Sequence, residues 1–164
     1  MIKKLTVALL VLLLFISARL KAQTHTEEEH EHEHHHVHEI GFSVAPVYFF
    51  KAEELSPAIH LHYVYNFPET KFGLGLGYEH IFDDHRHNFV GLELEYRPLH
   101  PLTVGLSPGI TFEGEHPEEK DFALHFETVY EFELGSFHIG PLLELAYHRE
   151  DIHLSFGVHI GVGL

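Results

Sequence analysis

The 164-residue sequence has no cysteine, no tryptophan and a single methionine, Met1. Without cysteine there is neither a disulfide framework nor a thiolate metal site. Without an internal methionine there is no thioether ligand, which disfavours a sulfur-loving ion such as Cu⁺. Basic residues are scarce as well: ten Lys and Arg stand against 25 Asp and Glu, for a formal net charge of −15. Phosphate backbones are recognised by basic patches, so nucleic acid is excluded as a partner. Cations, whether metal ions or protons, fit this balance. Apolar runs are short, and the only extended one, Leu5 to Ile16, cannot cross a bilayer as a helix. No helical period and no linker follows residue 40, which leaves one folded domain.

What is present begins with Lys3, Lys4, the apolar run and "SARLKAQ". A basic start, a short apolar run and a small residue before a polar one read as a secretory signal peptide over residues 1–22. Cleavage is expected after Ala22, with Ala18 as the alternative. Lys3, Lys4, Arg19 and Lys21 leave with it, so six of the ten basic residues remain in the mature chain. Next comes "THTEEEHEHEHHHVHE", residues 24–39, with seven histidines and six glutamates. It is interleaved with Glu and followed by twelve more histidines, so it is read as native rather than as a purification tag. Segment 23–39 is too charged to fold alone and is expected to be a disordered periplasmic tail. His25, His30, His32, His34, His35, His36 and His38 make it a candidate low-affinity metal buffer. The bland reading is an inert acidic spacer.

From Ile40 onward apolar and polar residues alternate with period two. In "IHLSFGVHIGVGL", 152–164, the even positions are Ile152, Leu154, Phe156, Val158, Ile160, Val162 and Leu164, and the odd ones are His, Ser or Gly. Seven earlier strands are expected at 40–50, 57–67, 71–81, 88–97, 102–112, 122–132 and 137–147. "FPET", "PLHP" and "ELGS" read as tight turns, while "KAEELS", "FDDHRH", "EGEHPEEKD" and "HRED" read as polar loops. Strands of about ten residues with turns at one side and loops at the other imply an all-β, eight-stranded antiparallel up-and-down transmembrane β-barrel over 40–164. A lipocalin-like soluble barrel would turn the apolar face inward. Three features oppose that: the polar face carries small residues such as Gly41, Ser43, Gly73, Gly75 and Gly77 rather than Lys and Arg; aromatics collect near strand ends; and the sequence ends within its last strand. Pro46, Pro108 and Pro141 fall inside strands, where bulges are expected.

The segment "FGVHIGVGL" resembles the terminal strand of bacterial outer-membrane proteins, with Leu164 where that family usually has Phe. Residues 40–164 are similar to the small OmpA-type or outer-membrane β-barrel families of Bacteroidota, and "LKAQ" resembles signal-peptide ends common in that phylum. The resemblance implies a barrel in the outer membrane, surrounded by lipid.

Turning the apolar face to lipid assigns the remaining side chains to the lumen: His60, His62, Glu79, Glu93, Glu95, Arg97, His125, Glu127, Glu131, Glu133, His138, Glu144, His148, His153 and His159. Arg97 is nearly the sole base among many carboxylates, a charge imbalance that protons or bound cations must meet. The metal candidates are His60, His62, Glu79, His125, Glu127, Glu144, His148 and His153, all expected in the outward half. Imidazole and carboxylate without sulfur suit Zn²⁺ best, then Ni²⁺, Co²⁺ or Cu²⁺. His60 and His62 lie two apart on one strand, so both enter the lumen together. They read as a ligand pair or as two members of a hydrated polar network. The leading expectation is a non-enzymatic barrel that binds divalent transition metals for sensing, buffering or transfer. Conduction is not expected, because side chains fill so small a barrel. A structural barrel or a subunit of an envelope complex is the alternative. A lipid-modifying enzyme is the third: His153 and Ser155, with Glu144 to orient them, resemble the lipid A deacylase family, although they fall on the lumenal face.

Overall fold

The structure, a computed structural model, describes residues 36–149 and 151–164. The signal peptide expected at 1–22 and the tail histidines His25, His30, His32, His34 and His35 lie outside the described residues. The described chain runs through β1 (His38–Phe49), β2 (Glu54–Asn66), β3 (Phe72–Ile81), β4 (His87–Leu99), β5 (Leu102–Glu113), β6 (Lys120–Tyr130), β7 (Phe132–Leu134), β8 (Phe137–His148) and β9 (Ile152–Gly163). β1 to β6 pair in sequence, all antiparallel; β6 and β7 both pair with β8, β8 pairs with β9, and β9 returns to β1. The sheet therefore closes on itself. β6 and β7 are two lengths of one stave, so the barrel has the eight staves expected. Closure matters physically, since an open edge would leave unpaired N–H and C=O groups in lipid.

Alternation decides which face is which. β9 exposes Ile152, Leu154, Phe156, Val158 and Ile160, and buries His153, Ser155, Gly157, His159 and Gly161. Every long strand repeats this inversion of the water-soluble pattern, so the apolar side chains form a continuous outer band. Tyr65, Phe67, Phe72, Tyr96, Phe132 and Phe137 ring the end that carries the start of β1 and the end of β9. Tyr48, Phe50, Phe82, Phe122 and Tyr147 ring the opposite end. At the first, terminal end the connections are 67–71, 100–101 and 135–136, the last a two-residue turn with Gly135 at φ 72°. At the second, loop end they are 50–53, 82–86, 114–119 and 149–151.

The bulges expected at Pro46, Pro108 and Pro141 do not form. Between β1 and β9 the pairing passes from Val44↔Val158 to Val47↔Ser155, three residues on each side. Between β4 and β5 it passes from Leu94↔Leu106 to Gly91↔Gly109, and between β8 and β6–β7 from Leu142↔Val129 to Ile139↔Phe132. A proline removes one donor toward one neighbour only, so two residue pairs go unbonded and the register resumes unshifted. The break between β6 and β7 is this gap, opposite Pro141. A register shift does occur between Tyr96 and Leu99, where β4 carries one extra residue beside Pro98.

Two boundaries also differ from expectation. β1 begins at His38, so Glu39 belongs to the lumen wall rather than to the tail, while His38 faces outward with its Nδ1 2.7 Å from the Tyr63 hydroxyl. Glu133, expected inside, is exposed at the terminal rim, its Oε1 3.4 Å from His100 Nδ1. The alternation that would point it inward weakens where Pro141 interrupts the stave.

At the loop end Asp151 ties two loops together. Its carboxylate accepts the backbone N–H groups of Lys51 (2.9 Å), Ala52 (3.2 Å) and Ile152 (2.7 Å). Partial burial pushes the Asp151 carboxyl up, but these three donors outweigh it and hold it below its ordinary value. The sign follows: its contribution is complete above the unfolded-state value of about 3.9 and is lost as pH falls through the lower folded value. Asp151→Ala is expected to reduce hydrogen-exchange protection of the Lys51 and Ala52 amides at pH 7 on the order of tenfold, with the strand amides unchanged. Unaltered protection at those two amides would refute the tie.

Candidate metal centre

Small inward residues make room for large polar ones. A Cβ on Gly77 would strike the side chains of Glu93 and His60, and one on Gly105 would meet Glu127 at 2.9 Å. The space so gained holds His60, His62, His125, His148, His153 and His159 with Glu39, Glu79, Glu93, Glu95, Glu127 and Glu144, all buried. Against them stands Arg97, whose Nη2 lies 2.5 Å from Glu95 Oε2 and 3.3 Å from Glu39 Oε2.

Four of these side chains, from β3, β6, β8 and β9, converge toward the loop end. Glu79, His125, Glu144 and His153 each bring one ligand atom, all within 4.8 Å of one another. His125 stacks on Phe89 with centroids 3.9 Å apart, and its Nδ1 lies 3.1 Å from Glu144 Oε2. Ser155 donates to Glu144 Oε1 at 3.2 Å. His153 Nε2 stands 3.9 Å from Glu144 Oε1 and 4.0 Å from Glu79 Oε1. Both His153 nitrogens and Glu79 Oε1 are buried without a hydrogen-bond partner, an expensive state for polar atoms. A tetrahedral Zn²⁺ with bonds of about 2.0–2.1 Å would set its donors roughly 3.3 Å apart, so the His153–Glu144 and His153–Glu79 pairs, at 3.9 and 4.0 Å, would each close by less than an ångström. Phe49 covers the group, its ring centroid 5.1 Å from that of His153. Phe49 also lines a cavity of about 330 Å³ at the loop end, together with Glu54, Asp83, His85, His87 and His148.

Midway along the lumen, His60 Nε2 is 3.3 Å from Glu93 Oε1, and Ser107 donates a short hydrogen bond to Glu93. His60, Glu127 and Glu144 form a further group of convergent donors, so Glu144 joins two groups. His60 and His62 enter the lumen together, with ring centroids 5.4 Å apart, and then divide. His62 turns toward the terminal end, where its ring stacks on His159 and its Nε2 is 4.0 Å from Glu39 Oε1. Of the candidates expected in the outward half, the structure thus brings Glu79, His125, Glu144 and His153 together, sets His148 beside them with ring centroids 5.8 Å from His153, puts His60 and Glu127 midway, and separates His62. His36, the first described residue, lies against Gly163 at the terminal end.

The terminal-end side chains Glu39, His138 and His159 also converge, although composition did not single them out as ligands. Glu39 is masked in the sequence by the Glu-rich run that it ends. Continuing the alternation of Gly41 and Ser43 back by one step finds it.

The enzyme reading meets an obstacle inside the same lumen. Ser155 Oγ bonds Glu144, not His153, and the nitrogens of His153 have no hydrogen-bond partner. A serine without a base is not activated.

No protein-family model matches the chain, and no curated protein matches it. Among solved structures it is similar to Neisserial surface protein A, at 7% identity and a TM-score of 0.54, over 77% of this chain and 96% of that one. It is similar to the N-terminal β-barrel domain of Pseudomonas aeruginosa OprF, at 15% identity and a TM-score of 0.50, over 77% and 97%. It also resembles Ail, the attachment invasion locus protein of Yersinia pestis, at 14% identity and a TM-score of 0.50, over 77% and 96%. At such identities the likeness is one of fold: the chain has the fold of the small eight-stranded outer-membrane β-barrels.

Proposed function

We propose that this protein is a non-enzymatic outer-membrane β-barrel that binds divalent transition metal ions in its lumen, Zn²⁺ foremost and Ni²⁺, Co²⁺ or Cu²⁺ by the same donor chemistry. The observation that carries the reading is the Glu79–His125–Glu144–His153 group with its buried, unpartnered nitrogens and carboxylate oxygen. A divalent cation satisfies those atoms and offsets charge in a lumen where, among the described residues, the one guanidinium is already engaged by Glu39 and Glu95. In this reading the His/Glu run, periplasmic when the barrel is inserted, serves as a weaker buffer, and the ions are held or handed on rather than conducted. The fold supports a location in the outer membrane, with lipid around the apolar band.

The test is zinc content of the full-length protein, purified from membranes, stripped with chelator, reloaded and passed through gel filtration. Glu79→Gln with His153→Gln is expected to lower retained zinc by one ion per chain while the barrel still folds. Deleting residues 24–35, which leaves His38 and Glu39 in β1, is expected to lower weakly bound zinc only. Zinc content unchanged by the lumenal pair would sink the site. An unchanged content in the deletion would remove the tail's role alone.

A further inference from the structure

We propose that the lumen holds a second transition-metal site at its terminal end, made by Glu39, His138 and His159, with His62 beside it on the Glu39 side. It extends the metal reading to residues that the loop-end site does not use, and it stands on its own geometry. His138 Nε2 is 3.2 Å from His159 Nε2 and 3.2 Å from Glu39 Oε1. Both distances match the roughly 3.3 Å donor separation of a tetrahedral Zn²⁺ with bonds of about 2.0–2.1 Å. His62 Nε2 lies 4.0 Å from Glu39 Oε1 and is buried with no hydrogen-bond partner. His62, Glu39 and His159 are all buried, whereas His138 is half-buried and gives the site its side toward the terminal end.

The surroundings are those of a ligand shell rather than of a chance contact. Ser43 Oγ lies 3.1 Å from His159 Nδ1. In the tautomer that places the His159 proton on Nδ1, Ser43 accepts it and the Nε2 lone pair is directed at His138, the arrangement that orients metal-bound histidines. The two Nε2 atoms share one proton as a hydrogen bond, and a bound cation takes that proton's place between them. Gly41 and Gly161 supply the room: a Cβ on Gly161 would overlap the His138 ring, and one on Gly41 would overlap His62 and reach His159 Cε1 at 2.6 Å. The other carboxylate oxygen of Glu39 is held by Arg97 at 3.3 Å, which fixes the oxygen facing the histidines. Two imidazoles, one carboxylate and no sulfur select Zn²⁺, Co²⁺, Ni²⁺ or Cu²⁺ over Ca²⁺ and Mg²⁺. Glu39 is also the last residue of the His/Glu run, so that run ends on a ligand of this site.

The experiment compares four full-length proteins: wild type, His138→Gln/His159→Gln, the loop-end pair Glu79→Gln/His153→Gln, and the combination of all four changes. Retained zinc and the visible d–d absorption of Co²⁺ are read on each, after confirming the folded barrel by its gel mobility without heating. The terminal-end pair is expected to lose one ion per chain and the combination two. Ser43→Ala keeps every ligand and is expected to weaken one Co²⁺ equivalent by 10- to 100-fold, leaving the loop-end equivalent unchanged. Wild-type zinc and wild-type Co²⁺ spectra in the terminal-end pair would overturn this site, whatever the loop-end pair does. Loss from the terminal-end pair with none from the loop-end pair would keep this site and reject the other. If the terminal-end pair does not fold, Ser43→Ala and Gly161→Ala decide: undiminished Co²⁺ binding in both overturns the proposal.

Discussion

Replacing Arg97 with methionine is expected to destabilise the barrel by about 3–5 kcal/mol, the range seen when one partner is removed from a buried ion pair. Arg97 reaches Glu95 Oε2 at 2.5 Å, Glu39 Oε2 at 3.3 Å and Asn66 Oδ1 at 2.6 Å. The first two are carboxylates buried in the lumen, and among the described lumenal residues no other Lys or Arg is available to them. The methionine fills the volume but leaves Glu95 without its guanidinium partner and Glu39 with His138 and His62 alone. Lysine should recover only part of the loss, because a single ammonium cannot reproduce the fork that spans Glu39, Glu95 and Asn66. The decisive control adds Glu39→Gln and Glu95→Gln to Arg97→Met. With the charges removed together, most of the stability should return. Guanidinium unfolding of detergent-folded protein, followed by tryptophan-independent circular dichroism, reads each variant. A loss below about 1 kcal/mol for Arg97→Met would mean that water or ions reach these carboxylates freely.

Gly140→Val is expected to cost about 3 kcal/mol, at the upper end for overpacking. Any Cβ at Gly140 would overlap the carbonyl oxygen of Tyr130 and approach Glu131 Cα at 3.4 Å. The obstacle is backbone, which cannot rotate aside as a side chain can. Its origin is Pro141, whose missing N–H leaves the pairs with Tyr130 and Glu131 unbonded, so that β8 and the β6–β7 stave touch through the glycine instead. Gly157, opposite Ala45 in the gap made by Pro46, faces the Val44 carbonyl in the same way and should respond alike. Gly135→Ala is the contrasting case. It has open space within 4 Å, and only its φ of 72° opposes the substitution, a cost of about 1 kcal/mol. The same unfolding assay separates the two. Equal losses at Gly140 and Gly135 would remove the close-approach argument.

The reach of sequence reasoning shows in particular residues. The inward direction of His60, His62, Glu79, His125, Glu144 and His153 was readable because the strand period is two and a one-residue slip would turn each apolar face inward. Arg97 was readable as the lone lumenal base from composition and parity together. The prolines give no bulge because a bulge is only one way to absorb a missing donor, and closed staves held in register by both neighbours take the other. Glu39 was hidden because its run and its strand share one composition.

By itself, then, the sequence determined a closed eight-stave barrel, its apolar outside, and a lumen of imidazoles and carboxylates with almost no base. Alternation and composition are local properties and survive without coordinates. Only the tertiary structure decided that these groups fall into a loop-end set and a terminal-end set, that His62 parts from His60, and that Glu39 meets His138 and His159. Those meetings join β1 to β8, two staves away, and β3 to β6, three staves away. They depend on the stagger between strands at closure, a quantity that no single strand's pattern carries.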